Sequence, residues 1–345
     1  MIKKNLTSTL VLKLCIALCF TSCSDDDNNR DNDNNSVTLF ASNNSNGNIS
    51  VYDFESGQNT STKTLVTTSI AADGVYFDQS TKSVFQASRS GKNLEGFADV
   101  NVLTSGSVLS VDFLGTSDMD SPREVAVNGN IYVVADNADV DGDANTPDGR
   151  LFVYNFSNGS FTLRNVITTD FKLWGITFIG NDLYAVVDAT SQLAVFTNFL
   201  SNTADASISA SKKIAIQDIV RTHGLTYDAA SDTMILTDIG SAMNGQDDGG
   251  FHIIDNFTSK FNSVNDGGVL VATGNQVRVS GSSTLMGNPV DVAYDSENKV
   301  IYIAEAGNGG GRILGFSNFD MSVGGNVAPT FNSALTSASS VYLSK

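Results

Sequence analysis

From residue 37 onward the chain is built of short runs rich in Val, Ile, Leu, Phe and Tyr, separated by Gly, Asn, Asp and Ser. No window carries apolar residues at sustained helical spacing with caps at its ends. β-Branched and aromatic runs with polar punctuation predict strands joined by tight turns. The runs also repeat. VYDF ends at Phe54, GFADV at Val100, VYNF at Phe156, VFTNF at Phe199, IIDNF at Phe257 and GFSNF at Phe319. Each is predicted as a strand closing in Asn or Asp plus a hydrophobe. Ahead of the later motifs lies a second strand (SVFQAS, IYVVAD, LYAVVD, MILTDI, IYIAEA), and ahead of that a third (GVYFD, EVAVN, GITFI, GLTYD, DVAYD). Turns such as Asn128-Gly129-Asn130 and Asp295–Asn298 join the two. Three clear strands and a variable fourth, six times over, predict an all-β, six-bladed β-propeller.

The first repeat lacks its leading strand and opens at VTLFAS, residues 37–42. The missing strand stands at the other end of the chain, where SSVYLSK (339–345) aligns with DGVYFD (73–78). The C-terminal strand is therefore expected to complete the first blade. That closes the ring and removes the free edges an open array would expose.

The segments SPREVAVNGNIYVVAD, THGLTYDAASDTMILTD and GNPVDVAYDSENKVIYIAE resemble NHL repeats. They are also similar to strands of the gluconolactonase/senescence-marker-protein propellers. The resemblance runs over about residues 37–345 and implies a six-bladed propeller. The architecture hosts enzymes, binders and scaffolds alike, so it does not by itself imply an activity.

The N-terminus speaks to location. Met1-Ile-Lys-Lys is basic, Leu6 to Phe20 is mostly apolar, and Thr21-Ser22-Cys23 follows. The apolar stretch is shorter than the ~20 residues of a membrane span and has the layout of an export signal. It resembles a bacterial lipoprotein signal (residues 1–22), with Phe20 where Leu is usual and Cys23 as the acylated new N-terminus. Ser24-Asp25-Asp26-Asp27 resembles the export tag of surface lipoproteins of the Bacteroidetes type. An ordinary cleaved secretion signal followed by an acidic linker is the alternative. Residues 23–36 then form a lipidated cysteine and a disordered acidic tether, and residues 37–345 the propeller. The expected location is the outer membrane, lipid-anchored and exposed at the cell surface. The only cysteines are Cys15, Cys19 and Cys23, so the mature domain forms no internal disulfide and rests on its core.

Formal charge is −17. Removing Lys3, Lys4 and Lys13 with the signal takes the mature chain to −20. Without clustered basic residues, nucleic-acid binding is not expected. A well-solvated acidic surface, or an affinity for cations, accounts for the balance.

Aligning the leading strands sets Asp73, Arg123, Trp174, His223, Val290 and Ser339 at one level of the central channel. Gly74, Glu124, Gly175, Gly224, Asp291 and Ser340 form the next. Asp73, Arg123, Glu124, Trp174, His223 and Asp291 are the candidate ligand-binding residues of this mouth. They offer charge, hydrogen bonds and a stacking face, which suits a polar ligand such as a glycan. The same residues would also serve simply to satisfy one another around a wet channel. The resemblance to the lactonases implies a divalent cation held by Glu, Asn and Asp at this mouth. Here THGL puts His223 where their pattern reads Asn-Gly, and Asp73-Gly74 is the nearest match to their Glu-Gly-Pro.

A second candidate is the loop NADVDGDANTPD, residues 137–148, which matches the spacing of a calcium loop. Asn137, Asp139 and Asp141 take positions one, three and five, Gly142 the turn, Asp143 a backbone ligand, Asn145 position nine and Asp148 position twelve. A solvated acidic loop is the alternative, and no flanking helices make it an EF-hand. The acids Asp136, Asp188, Asp238 and Glu305, which end the second strands, are expected to cap turns by binding nearby amides. Together these features lead to a lipid-anchored propeller that binds a polar ligand, or a partner in a surface protein complex, at its top face. A metal-dependent hydrolase or lactonase is the alternative.

Overall fold

The computed structural model describes residues 36–241 and 243–345. The expected signal segment, Cys23 and the tether up to residue 35 lie outside the described residues. The described chain forms six antiparallel-cored sheets, four of four strands and two of five, arranged as the blades of a propeller. Numbered along the chain, their inner strands are Ala338–Ser344 (blade 1), Ala72–Asp78 (blade 2), Pro122–Asn128 (blade 3), Leu173–Ile179 (blade 4), Leu225–Asp228 (blade 5) and Pro289–Asp295 (blade 6).

Closure follows the expected route. The C-terminal strand pairs antiparallel with Ser36–Asn43, setting Val341 opposite Ala41 and Leu343 opposite Leu39. Period-2 alternation then explains why the ring holds. Leu39 and Ala41 point into a core shared with blade 6, while Phe40 between them stacks on Phe77 of blade 2 at 4.5 Å. Six such cores, one between each pair of successive blades, run around the ring, including the pair formed by blades 6 and 1. Two blades are further tied to their neighbours. Ala206–Ile208 adds parallel to the outer edge of blade 3, and Val269–Leu270 to that of blade 4.

The repeated Asn/Asp-plus-hydrophobe motif divides into two kinds. In blades 1 and 3, Phe54 and Phe156 belong to the strands Ile49–Glu55 and Gly149–Ser157, which turn through Ser56-Gly57 and Asn158-Gly159. Both residues of each pair have positive φ, the conformation a two-residue hairpin needs. In blades 2, 4 and 5 the strand stops earlier. Asp99, Asn198 and Asn256 take left-handed backbone, and the hydrophobe that follows, Val100, Phe199 or Phe257, turns back to bury itself. The hydrophobe is therefore an anchor after a turn, contrary to the expectation of a strand end. Asn and Asp tolerate that backbone better than other non-glycine residues. After Asn256 the chain makes a short helix, Phe257–Ser263, which the sequence pattern did not reveal. Phe257 and Phe261 share its buried face, and Asp232 accepts hydrogen bonds from the Thr258 amide and hydroxyl.

Three of the four acids that end the second strands behave as expected, while Asp188 accepts the adjacent Ala189 amide and is otherwise held by Arg221 and Asn137. The Ser121 amide donates to Asp136, the Val220 and Arg221 amides to Asp238, and four amides (Gly287, Asn288, Gly307, Asn308) to Glu305. Each carboxyl holds the loop that leads into the inner strand of its own blade. Those loops place the residues at the channel mouth.

Candidate functional site

The mouth at which the inner strands begin is occupied by a three-layer stack drawn from three successive blades. Arg123 lies over the Trp174 ring with Cζ 4.0 Å from its centroid. His223 is parallel to Trp174, centroids 3.7 Å apart and planes 5° from coplanar. Two groups this close cannot share one face, so the indole is sandwiched between guanidinium and imidazole. Each outer layer meets an acid. Arg123 Nη1 donates to Asp73 at 2.9 Å, with Arg89 3.7 Å from the same carboxyl. His223 Nε2 lies 3.3 Å from Asp188 Oδ1, close enough for an ion pair but not aligned for a hydrogen bond. Arg221 and Asn137 both donate to Asp188 at 3.1 Å.

Protonation in this cluster follows from burial and partners. Burial pushes His223 below the usual imidazole range, against the pull of Asp188. Burial also opposes ionisation of Asp188. The contacts from His223, Asn137 and Arg221 outweigh it and hold that carboxyl well below its usual range. At neutral pH the anion therefore rests on Arg221 and Asn137 beside a neutral His223. Only in acid do the two form a true ion pair. His223 Nδ1 and Nε2, Arg123 Nε, Arg221 Nε and Thr222 Oγ1 are buried and have no hydrogen-bond partner among the described residues.

One level deeper the residues separate from this group. Gly74 and Gly224 sit where adjacent inner strands touch. A Cβ on Gly224 would collide with Asp291 Cα, and one on Gly74 would come within 2.7 Å of the Arg123 carbonyl oxygen. Side chains project at this level only from Glu124, Asp291 and Ser340. Asp291 Oδ2 accepts from the Ser340 hydroxyl at 2.7 Å and the Val341 amide at 2.8 Å. Glu124 Oε1 accepts from the Val125 amide at 2.8 Å. Burial, then the charges of Asp291 and Asp73, push Glu124 well above the usual carboxyl range, and burial pushes Asp291 up to about 7.

These two carboxyls line a cavity of about 460 Å³ that extends toward the face where the inner strands end. Asp73, Arg123, Trp174 and His223 do not line it. Alignment of the inner strands predicts all six candidates at one mouth. The structure brings Asp73, Arg123, Trp174 and His223 together there and turns Glu124 and Asp291 to the opposite side. It also adds Asp188, Arg221 and Arg89, which the alignment of inner strands passed over because they stand in loops.

The 137–148 loop does not gather its oxygens. Asn137 is drawn to blade 4 by donating to the Leu173 carbonyl and to Asp188. Asp139 pairs with Lys172 at 3.3 Å. Asp141, Asp143 and Asp148 accept the amides of Asp143, Asn145 and Val140, and Gly142 makes the turn at φ +72°. Among the described residues no group of three His, Cys, Asp or Glu is placed to hold a metal ion. A calcium ion in this loop would have to displace Lys172 and turn Asn137 back.

No protein-family model matches the chain, and no curated protein matches it. Solved structures do. A chain of a nidogen/laminin complex superposes with a TM-score of 0.58 at 13% identity, covering 89% of this chain and 98% of that one. A protein of unknown function from Bacteroides caccae matches with a TM-score of 0.53 at 9% identity, covering 89% and 98%. A candidate 6-phosphogluconolactonase from Bacteroides fragilis matches with a TM-score of 0.52 at 11% identity, covering 90% and 98%. At these identities the likeness is one of fold, and it establishes the chain as a six-bladed β-propeller.

Proposed function

We propose that this protein is a lipid-anchored, extracytoplasmic binding module that takes a polar, oxygen-rich ligand of glycan type at the face where its inner strands begin. The observation that carries this reading is the Arg123–Trp174–His223 stack, with four buried nitrogens in and beside it (His223 Nδ1 and Nε2, Arg123 Nε and Arg221 Nε) that have no hydrogen-bond partner among the described residues. Each unsatisfied buried polar group costs about 1–3 kcal/mol. Ligand hydroxyl or carboxylate oxygens would recover that cost. Because both indole faces are already covered, Trp174 fixes the two cationic or donor groups rather than stacking on the ligand itself. A glycan panel read by calorimetry tests the proposal. Trp174→Ala frees Arg123 and His223 from their positions and is expected to weaken the best ligand at least tenfold. Equal affinity in wild type and variant, or no glycan bound, would defeat it.

A lactonase is the second reading, favoured by one feature: a neutral, buried His223 beside Asp188 has the form of a general base. The oxygen cage that such an enzyme uses does not converge here, since Glu124 and Asp291 lie below the stack. Lactone turnover that is abolished in His223→Ala would move the assignment to an enzyme.

A further inference from the structure

Blade 2 departs from its neighbour at one place in its interior. Its second and third strands, Ser83–Ser88 and Asn93–Phe97, set Gln86 opposite Glu95 and Ser88 opposite Asn93. Period-2 alternation turns all four side chains to the face that Val84 and Phe97 pack against blade 1. Gln86 and Ser88 are fully buried, and Asn93 and Glu95 are each 6% exposed. In blade 3 the residues at the same registers are Val134 opposite Phe152 and Asp136 opposite Arg150. The first of those pairs is hydrocarbon, and in the second the buried acid holds a guanidinium at 2.6 Å. Blade 2 also buries an acid, but it carries Asn93 where the arginine stands. The cations of its own turn are engaged elsewhere, Arg89 with Asp73 and Lys92 with Asp120.

The oxygens of this group converge. A Cβ on Gly91 would lie 2.8 Å from both Glu95 Oε1 and Ser88 Oγ, and 2.9 Å from Asn93 Oδ1. Gly91 does not have a positive φ, so its backbone does not call for glycine, whereas the space framed by the three oxygens does. Asn93 Oδ1, and Gln86 Oε1 beside the same carboxyl, are buried with no hydrogen-bond partner among the described residues. Gln86 Nε2 reaches Glu95 Oε2 at 3.4 Å, and the Asn93 amide nitrogen reaches Ser117 at 3.4 Å. A buried acid without a counter-charge, ringed by acceptors that lack donors, calls for a cation.

We propose that this cradle binds an alkali-metal cation, sodium or potassium, on the Glu95 carboxylate, with Asn93 Oδ1 and Ser88 Oγ as neutral ligands. The ion does for Glu95 what Arg150 does for Asp136: it neutralises a buried acid one to one. A divalent ion on a single carboxylate would leave a net positive charge in a buried site, which is costly. Calcium, moreover, takes six to eight oxygens. Burial raises the Glu95 carboxyl against hydrogen bonds from Gln86 and Ser88, the cost that a bound cation offsets. The turn that closes the cradle carries Arg89, 3.7 Å from Asp73 at the channel mouth. The ion therefore fixes a turn that reaches the mouth without touching a ligand there.

The test compares thermal unfolding in sodium chloride, potassium chloride and choline chloride at equal ionic strength and pH 8, followed by circular dichroism. Sodium or potassium is expected to raise the melting temperature by at least about 2 °C over choline. Glu95→Gln keeps the shape and removes the charge. It is expected to melt alike in all three salts, and no lower than wild type does in choline. Gly91→Ala keeps every oxygen and fills the cradle, and it too is expected to lose the response; if it does not fold, Glu95→Gln decides alone. Equal melting of wild type in the three salts would overturn the proposal. That is the result expected of an ordered water in the cradle, or of an Asn93 amide turned to donate to Glu95. A sodium or potassium response that survives in Glu95→Gln would overturn it as well. So would a calcium response abolished in Glu95→Gln with no response to either alkali ion. The readout is independent of the glycan panel, so either reading can fail while the other stands.

Discussion

Asp291→Asn should stabilise this protein, and the gain should grow with pH. Asp291 is 5% exposed, and burial pushes its carboxyl from 3.8 up to about 7. A carboxyl with a raised folded-state pKa holds its proton more tightly when folded. Its contribution to stability is therefore fully present below pH 3.8 and is lost as pH rises through about 7. The interval is roughly three pH units, and each is worth about 1.4 kcal/mol, so wild type loses about 4 kcal/mol across it. Asparagine does not titrate, and its side-chain oxygen still accepts from Ser340 and the Val341 amide. Relative to wild type, the variant should thus gain several kcal/mol between pH 4 and pH 8. The groups that share this titration are Glu124, whose own rise comes partly from Asp291, and Asp73, which faces both. Relief of Glu124 in the variant works in the same direction. Urea unfolding at pH 4, 5, 6, 7 and 8, followed by circular dichroism for both proteins, measures the difference directly. Common effects such as the ionisation of Asp188 cancel in it. A free-energy difference that stays flat from pH 4 to pH 8 would refute the claim that Asp291 is buried without a counter-charge.

Deleting residues 339–345 removes buried Val341, half-buried Tyr342 and Leu343, and the Ser340 contact to Asp291. At about 1.5–3 kcal/mol per buried large apolar side chain, the loss approaches the 5–15 kcal/mol of a typical domain; a melting temperature equal to wild type would show that the ring does not depend on this strand. If the 137–148 loop takes calcium after releasing Lys172, millimolar calcium should raise the melting temperature and Asp139→Ala/Asp141→Ala should abolish the rise. An unchanged melt with calcium and after chelation would return the loop to solvated surface. Cys23→Ala should move the protein from the membrane fraction to the soluble one, and unchanged partition into the detergent phase would defeat the lipid anchor.

The ring was legible because two independent regularities coincide in the sequence. Period-2 alternation marks each strand, and the alignment of SSVYLSK with DGVYFD supplies the missing one. The turn geometry was legible only in part. Asp99, Asn198 and Asn256 announce a left-handed residue, but whether the next hydrophobe continues the strand depends on the core it can reach. The helix at Phe257–Ser263 is shorter than any window that shows helical periodicity. The level of each channel residue could be read by aligning inner strands, and so could the next apolar level, since Val75, Val125, Ile176, Leu225, Val292 and Val341 align two positions on and each enters one inter-blade core. The side of the channel each residue faces could not. Neighbouring positions in a strand point opposite ways, so Arg123 joins the stack while Glu124, one residue on, faces the cavity.

That one-residue division bears on how the acids of this propeller are used. The buried carboxyls near the ends of the second strands are matched: Asp136 by Arg150, Asp238 by Arg278, Asp188 by Arg221, and Glu305 by four backbone amides. Asp73 is matched by Arg123. Each has a structural task, and its partner offsets the cost of burial. Among the described residues Glu124 and Asp291 have no such cation; Asp291 accepts from Ser340 and the Val341 amide of the closing strand, a task an amide oxygen would also perform. A Gln and an Asn would fill the same space without the like-charge repulsion, so stability does not explain the acids. Groups that cost stability and line a cavity are candidates for function. The fold needs closely approaching inner strands at this level, which Gly74 and Gly224 allow, and it leaves the acid pair facing open space.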